Sequence, residues 1–302
     1  MTDKRTAMVM ASFAADALAL GAHWIYDTSE ISQKYGRIES LLAPPSDSYH
    51  TTRGKGDFTH YGDQMFVLLQ SVAEKKSFDL QHFSDQWRRL FEDYDGYIDG
   101  ATRKTLAYYA REKSPEKAGS HSNDFAGAAR IAPLVFLLAD DPDALVRAVR
   151  AQTRMTHNDT NVIDTAEFFA RVTRQVLNGT APVAAMREVA ATDAFEMSPV
   201  SMWVSDGLKS EADDSISAIG RFGQACEIMQ LFPGVVHLIA KYENDLREAL
   251  IQSVMAGGDS AARGMITGMV LGAHLGPNAL PEEWVCGINR KNEILRLLNR
   301  LR

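Results

Sequence analysis

The sequence predicts an all-α protein, and three observations carry that prediction. Apolar residues recur at helical spacing in most segments: Met8, Phe13, Ala17 and Leu20; Met65, Leu68, Leu69 and Val72; Phe168, Val172 and Val176. Alternating strand patterns bounded by Asn-Gly or Asp-Gly turns are scarce, and only Val200 to Val204 reads as a short extended stretch. Breakers fall between the helical periods, at Pro44-Pro45, 54–62, Ser114-Pro115 through Ser122, Asp140-Asp141-Pro142, Asn178-Gly179, Pro199 and Gly257-Gly258. They divide the chain into about ten helices.

A chain of 302 residues is long enough to bury a real core, and 45% hydrophobic with 24% charged residues is a globular composition. No break has the composition of an interdomain linker and no repeat of fixed period is present, so one domain over 1–302 is expected. A net charge of -7 argues against nucleic acid as a partner, while leaving room for a local basic pocket for one small phosphate. Cys226 and Cys286 are too few for a disulfide framework and are expected as buried packing. The apolar stretch from Met8 to Ile25 is interrupted by Asp16 and His23 and precedes no small-residue cleavage site, so it reads poorly as a signal or membrane span. The cytoplasm is the default expectation, the expected partner is a small molecule or modified substrate, and the oligomeric state is not legible.

Polar residues in unusual settings mark the candidate site. Asp16 lies in a helix of small residues, where a buried carboxylate needs a partner: either a helix cap or arginine, or a ligand. The segment Gly54-Lys55-Gly56-Asp57-Phe58-Thr59-His60-Tyr61-Gly62-Asp63-Gln64 sets glycines beside carboxylate, hydroxyl and imidazole groups just before a helix. Such a loop can present oxygens to a cation or sugar, and Asp63 also reads as the N-cap of the helix that follows. Ser122 and Asp124 precede another helix, whose free N–H groups suit an anion, with Pro133 at a kink or first turn. His157 precedes a helix capped by Asp159 or Thr160, where it either supports structure or touches a ligand. Gly257-Gly258-Asp259-Ser260-Ala261-Ala262-Arg263 describes a tight turn into a closely packed helix reaching Gly276, with Asp259 able to seat a cation. A serine nucleophile elbow is disfavoured there, because no strand precedes Gly257.

Taken in order, these pieces resemble the ADP-ribosylglycohydrolase superfamily, including its crystallin J1-like branch, over essentially the whole chain. Ala14-Ala15-Asp16-Ala17-Leu18-Ala19-Leu20-Gly21 resembles the family's Gly-Asp-Ala-Leu-Gly helix, and Ser122 through Pro133 its Ser-Asn-Gly, Met-Arg and Pro segment. Thr156-His157 resembles its Thr-His, and Gly257-Gly258-Asp259 the start of Gly-Gly-Asp-Thr-Asp-Thr, with the family's usual tail at Gly272 to Gly276, Leu280-Pro281 and Trp284.

The resemblance implies a compact all-helical fold whose central cleft holds two magnesium ions and cleaves the glycosidic bond of ADP-ribose to an acceptor. Hard cations suit carboxylate and hydroxyl ligands, and carboxylates stabilise an oxocarbenium-like transition state. This sequence departs from the pattern at both metal runs. His60-Tyr61-Gly62-Asp63-Gln64-Met65 stands where the family has Thr-Asp-Asp-Thr-Gln-Met, and Ser260-Ala261-Ala262 follows Asp259 where it has Thr-Asp-Thr. At most one Mg2+ is therefore expected, on Asp63 or Asp259. The expected activity is hydrolysis of an N- or O-ribosidic bond in an ADP-ribosyl or related substrate. Asp63 or Asp57 would act as base, and Asp259 would orient the ribose or cation. Asp16, His60, Tyr61, Ser122, Asp124, His157, Gly257, Gly258, Ser260 and Arg263 would line the pocket. The alternative is a catalytically silent binder of a nucleotide or sugar, or a crystallin-like structural protein. Both readings require Asp63 and Asp259 to meet on one wall.

Overall fold

Aspartate sets the start of helix after helix. Asp79, Asp99, Asp141, Asp159 and Asp259 each stand at an N-cap and accept a backbone N–H two or three residues ahead. The structure, a computed structural model, describes residues 3–302, which form seventeen α-helices and three short 3-10 turns. Extended pairing among the described residues is limited to two isolated bridges, Ser120 with His157 and Asp124 with Glu227. The helices are more numerous than the breakers predict, because stretches such as Ala126–Ala129 and Ala132–Leu138 are split at Arg130 and Ile131 without a glycine or proline between them. Pro133 sits in the first turn of the latter. No described helix is long and apolar enough to cross a membrane.

Three local readings are corrected. Val200 to Val204 opens the helix Val200–Lys209, in which Val200, Trp203, Val204 and Gly207 are buried, the spacing of one helix face. A five-residue apolar run does not by itself distinguish strand from buried helix. The cap of the helix His60–Lys75 is Thr59, whose hydroxyl accepts the Tyr61 N–H, so Asp63 lies inside the first turn. Cys226 is half-buried and Cys286 exposed, both as free thiols.

One continuous apolar core runs from Met8 to Leu298. Its closest contact joins the antiparallel helices Lys4–Ala19 and Ser260–Leu275 along a seam of small residues. Gly264 faces Ala15, Gly268 faces Ala11 and Ala15, and Gly272 faces Ala7 and Ala11. A Cβ on Gly268 would lie 2.6 Å from the Ala11 carbonyl oxygen, and one on Gly272 2.8 Å from the Ala11 Cβ. The seam brings the end of the first helix against the turn that starts the second. There the Trp24 N–H donates to the Gly258 carbonyl at 2.9 Å and the Gly258 N–H to the Ile25 carbonyl at 2.8 Å. Gly257 and Gly258 have φ of 69° and 64°, and the carbonyl oxygens of Ile25 and Gln224 fill the space that Cβ atoms would need.

The seam makes a graded prediction. Gly268→Ala should destabilise the fold by about 1–3 kcal/mol through overpacking. Gly264→Ala, whose Cβ would meet its nearest neighbour at 3.4 Å, should be neutral or slightly stabilising through helix propensity. Urea denaturation of the two variants measures the contrast.

Candidate functional site

Asp259 lies at the end of the seam and is completely buried. One of its oxygens accepts the Ala262 N–H at 3.2 Å and stands 3.1 Å from His23 Nε2; the other accepts the Tyr61 hydroxyl at 3.3 Å. His23 Nδ1 is in turn 2.8 Å from His50 Nε2. The His60 ring packs on Tyr61, with centroids 4.0 Å apart, and meets Tyr97 edge-to-face at 5.3 Å; Trp24 stacks on His23 at 4.4 Å, and Trp24, Tyr49 and Tyr97 pack edge-to-face on one another at 5.0–5.4 Å. Trp24 holds a left-handed φ of 67°, the conformation that turns its N–H toward Gly258.

Two further carboxyls face the same group. Asp99 caps the helix Gly100–Tyr109 through the Thr102 N–H and hydroxyl, and the oxygen that accepts the hydroxyl also lies 3.5 Å from His60 Nε2. Asp124, half-buried, accepts the Ala126 N–H at 2.8 Å beside Cys226. His157 closes the floor: its Nδ1 is 2.9 Å from the Thr156 hydroxyl, and its ring occupies the space that a side chain on Gly127 would take. Arg130, buried beneath, donates to Gln64 and Gln152 and to the Thr156 hydroxyl. Both nitrogens of His60 and Nε2 of His157 are buried without a hydrogen-bond partner.

Charge in this cluster follows from burial. Desolvation, then the charge of His23, lowers His50 to about 2. Burial lowers His60 to about 4, and burial with the Arg130 charge lowers His157 to about 3. These rings are neutral at physiological pH. The carboxyls divide. Burial together with Asp259 and Asp99 pushes Asp124 well above the usual carboxylate range. Burial works the same way on Asp99, but His60 and the Thr102 N–H outweigh it and hold that carboxyl below the usual range.

Of the residues expected in the pocket, Asp259, Tyr61, His60, Asp124 and His157 converge here. Gly257 and Gly258 shape the turn. Ser122 shapes the loop, its hydroxyl accepting the Asp124 N–H at 3.3 Å. Arg263 is wholly buried and clamps the turn by donating to the Ser253 and Gly257 carbonyls at 2.6 and 2.7 Å, while its Nε and Nη1 make no hydrogen bond. The Ser260 hydroxyl is buried without a partner. Asp16 accepts the Thr59 N–H and hydroxyl at 2.8 and 2.6 Å, with burial raising it to about 7. It braces the loop from inside.

The expectation that Asp63 and Asp259 share a wall is corrected. Tyr61 and Asp63 are two residues apart on one helix, about 200° around its axis. Tyr61 turns to Asp259, whereas Asp63 turns to a separate cavity, where Arg53 at 3.1 Å and the Tyr94 hydroxyl at 2.7 Å hold it. Asp57 lines that second cavity too, bound to the Gly54 N–H and to Asn289.

Comparison with known proteins fits this geometry to a lineage. A family model described as ADP-ribosylglycohydrolase matches residues 1–302. The chain belongs to this family. It is 25% identical to Crystallin J1A of Tripedalia cystophora, over 99% of this chain and 96% of that protein. Identity is 22% to Crystallin J1B of the same organism, with the same coverage. A solved structure titled ADP-ribosylglycohydrolase-related protein complex shares the fold at a TM-score of 0.72 and 21% identity, covering 99% of this chain and 98% of that one.

The magnesium pair that ADP-ribosylglycohydrolase resemblance implies does not fit the residues present. Both Asp259 oxygens are engaged by neighbours, Tyr61 among them, and Asp63 faces a separate cavity. Among the described residues no three His, Cys, Asp or Glu side chains stand together to hold a metal. His23, His50, Asp99, Trp24, Tyr97 and Arg130 were not singled out by sequence reasoning. Asp99-Gly100 carries a helix-start signal, but nothing local marks the other five as neighbours of Asp259.

The buried neutral histidines give a pH prediction. Their folded pKa values lie below the unfolded 6.5, so their contribution to stability is present above pH 6.5 and is lost as pH falls toward 4 and below. Asp16 has the opposite sign: its contribution is complete below 3.8 and is lost as pH rises through about 7. Asp124 has the same sign as Asp16. With His237, also lowered to about 4 by burial, and His274, lowered by burial too, five imidazoles outnumber the three raised carboxyls Asp16, Asp124 and Asp63. Urea unfolding at stepped pH should show stability falling from pH 6.5 to 4, and the fall should be steeper in Asp16→Asn.

Proposed function

We propose that the chain hydrolyses an N- or O-ribosidic bond in an ADP-ribosyl or related substrate without a metal ion, with Asp124 as proton donor and Asp99 as its ionised partner. The observation that supports this reading is the opposed protonation of two carboxyls facing one cluster, the condition for acid and base roles at a glycosidic bond. Asp124 would protonate the leaving atom as its bond to C1 breaks. Water would add to C1 and lose a proton to Asp99. Tyr26 and Tyr49, about half exposed, offer faces for a base or sugar ring. Asp124 itself takes up the Ala126 N–H that would otherwise be open to an anion, which favours small ribosides over pyrophosphate-bearing substrates. Asp57 and Asp63 take no part. A single Mg2+ on Asp259 would have to displace His23 or Tyr61, and this reading uses none.

A second reading is a silent binder or structural protein. The chain His50, His23, Asp259 and Tyr61, which satisfies its own hydrogen bonds, supports it, as do the relatives named crystallins.

Incubation with ADP-ribosyl-arginine, ADP-ribosyl-serine and small ribosides separates the two readings by release of free sugar product. Turnover should be indifferent to EDTA and added Mg2+ and should decline as pH rises and Asp124 ionises. It should also drop by about a hundredfold or more in Asp124→Asn with no fall in the urea midpoint at neutral pH. Release of no product from any substrate leaves the silent reading, and full activity in Asp124→Asn removes the acid assignment.

A further inference from the structure

The cavity on the other face of the helix His60–Lys75 has a volume of about 350 Å³ and its own chemistry. Its walls are fixed. The Asn289 N–H donates to the Gly56 carbonyl at 3.0 Å, the Asn289 side chain donates to Lys55 and Asp57, and Gly56, at φ 86°, lies so close to Gly287 that a Cβ would meet that carbonyl oxygen at 2.0 Å. A pocket held in this way is preorganised, so a ligand need not order it.

The polar groups are unequally satisfied. Asp57 is bound by Gly54 and Asn289, while Asp63 is bound by Arg53 and Tyr94, with Arg53 reaching on to Asp95. The acceptors of the cavity therefore have donors. Two donors make no hydrogen bond among the described residues: the Gln70 amide, and the Arg290 guanidinium, which lies 4.5 Å over the Phe66 ring and acts on Asp63 through its charge alone. Phe66, Val67 and Leu90 supply an apolar surface beside them.

We infer that this cavity binds a small organic monocarboxylate with an apolar or aromatic body. The carboxylate would take the planar fork of Arg290 and the Gln70 amide, and the body would rest on Phe66, Val67 and Leu90. Three nearby aspartates disfavour a dianion such as phosphate, and the single guanidinium free of hydrogen bonds matches one carboxylate. This site is separate from the Asp259 cluster and does not depend on the reading given to that cluster.

Benzoate is a suitable probe of the full chain, with benzyl alcohol and inorganic phosphate as comparisons, in calorimetric titration and thermal unfolding. Benzoate should bind saturably and raise the melting temperature, while benzyl alcohol and phosphate should do neither. Because Arg290 is exposed, Arg290→Gln should fold normally and weaken benzoate by about tenfold or more. Asp124→Asn should leave benzoate affinity unchanged, which keeps failure at this cavity distinct from failure of the proposed hydrolase. Equal binding of benzyl alcohol, no binding of benzoate, or undiminished affinity in Arg290→Gln would overturn the inference.

Discussion

The close approach of the helices Lys4–Ala19 and Ser260–Leu275 is the constraint on which the rest of the molecule depends. Three glycines at four-residue spacing meet three alanines at the same spacing, so two backbones touch where side chains usually hold them apart. Contact at that distance fixes the rotation and the register of both helices. Distant parts of the chain are thereby delivered to one place: His23 and Trp24 just beyond one helix, and Asp259 at the start of the other. A wider seam would separate His23 from Asp259 and leave a buried carboxylate without its partner.

What gathers at that end is a low-dielectric cluster in which few charges survive. Imidazoles that would be cationic at mildly acidic pH in water are held neutral by their surroundings, and Tyr61 donates to the Asp259 carboxylate where a cation would otherwise be needed. His60 Nε2, which makes no hydrogen bond, stands 3.5 Å from Asp99, and the Asp99 charge also acts on His157.

The fold was readable because its signals are local. The helical period, the aspartate caps and the Gly257-Gly258 turn each lie within a few residues, and the ordered set of short motifs carried the family. The site was readable only in part. Asp259, Tyr61, His60, Asp124 and His157 stood out as polar residues beside glycine-rich helix starts. Asp63 stood out for the same reason and misled, because a carboxylate in a first turn reads alike whichever way the helix is rotated. That rotation is set by Tyr61 reaching Asp259 across 198 residues of sequence, a contact with no local mark. His23 and His50 were missed on similar grounds, since the bond between them depends on how a loop returns over the first helix.

The absence of a side chain at position 62 has a chemical consequence. The Asp16 carboxylate fills the space where a Cβ at Gly62 would sit, 2.3 Å away, and Tyr61 fills the hydrogen-bonding capacity of Asp259 from the adjoining position. Carboxylates at 61 and 62 could not be introduced here one substitution at a time. The first replacement sets a new charge beside Asp259 with no cation to neutralise it, and the second drives an atom into Asp16. Substitutions that keep the hydrogen-bonded state at this end of the molecule are therefore accommodated more readily than any that would convert it to a pair of carboxylate ligands.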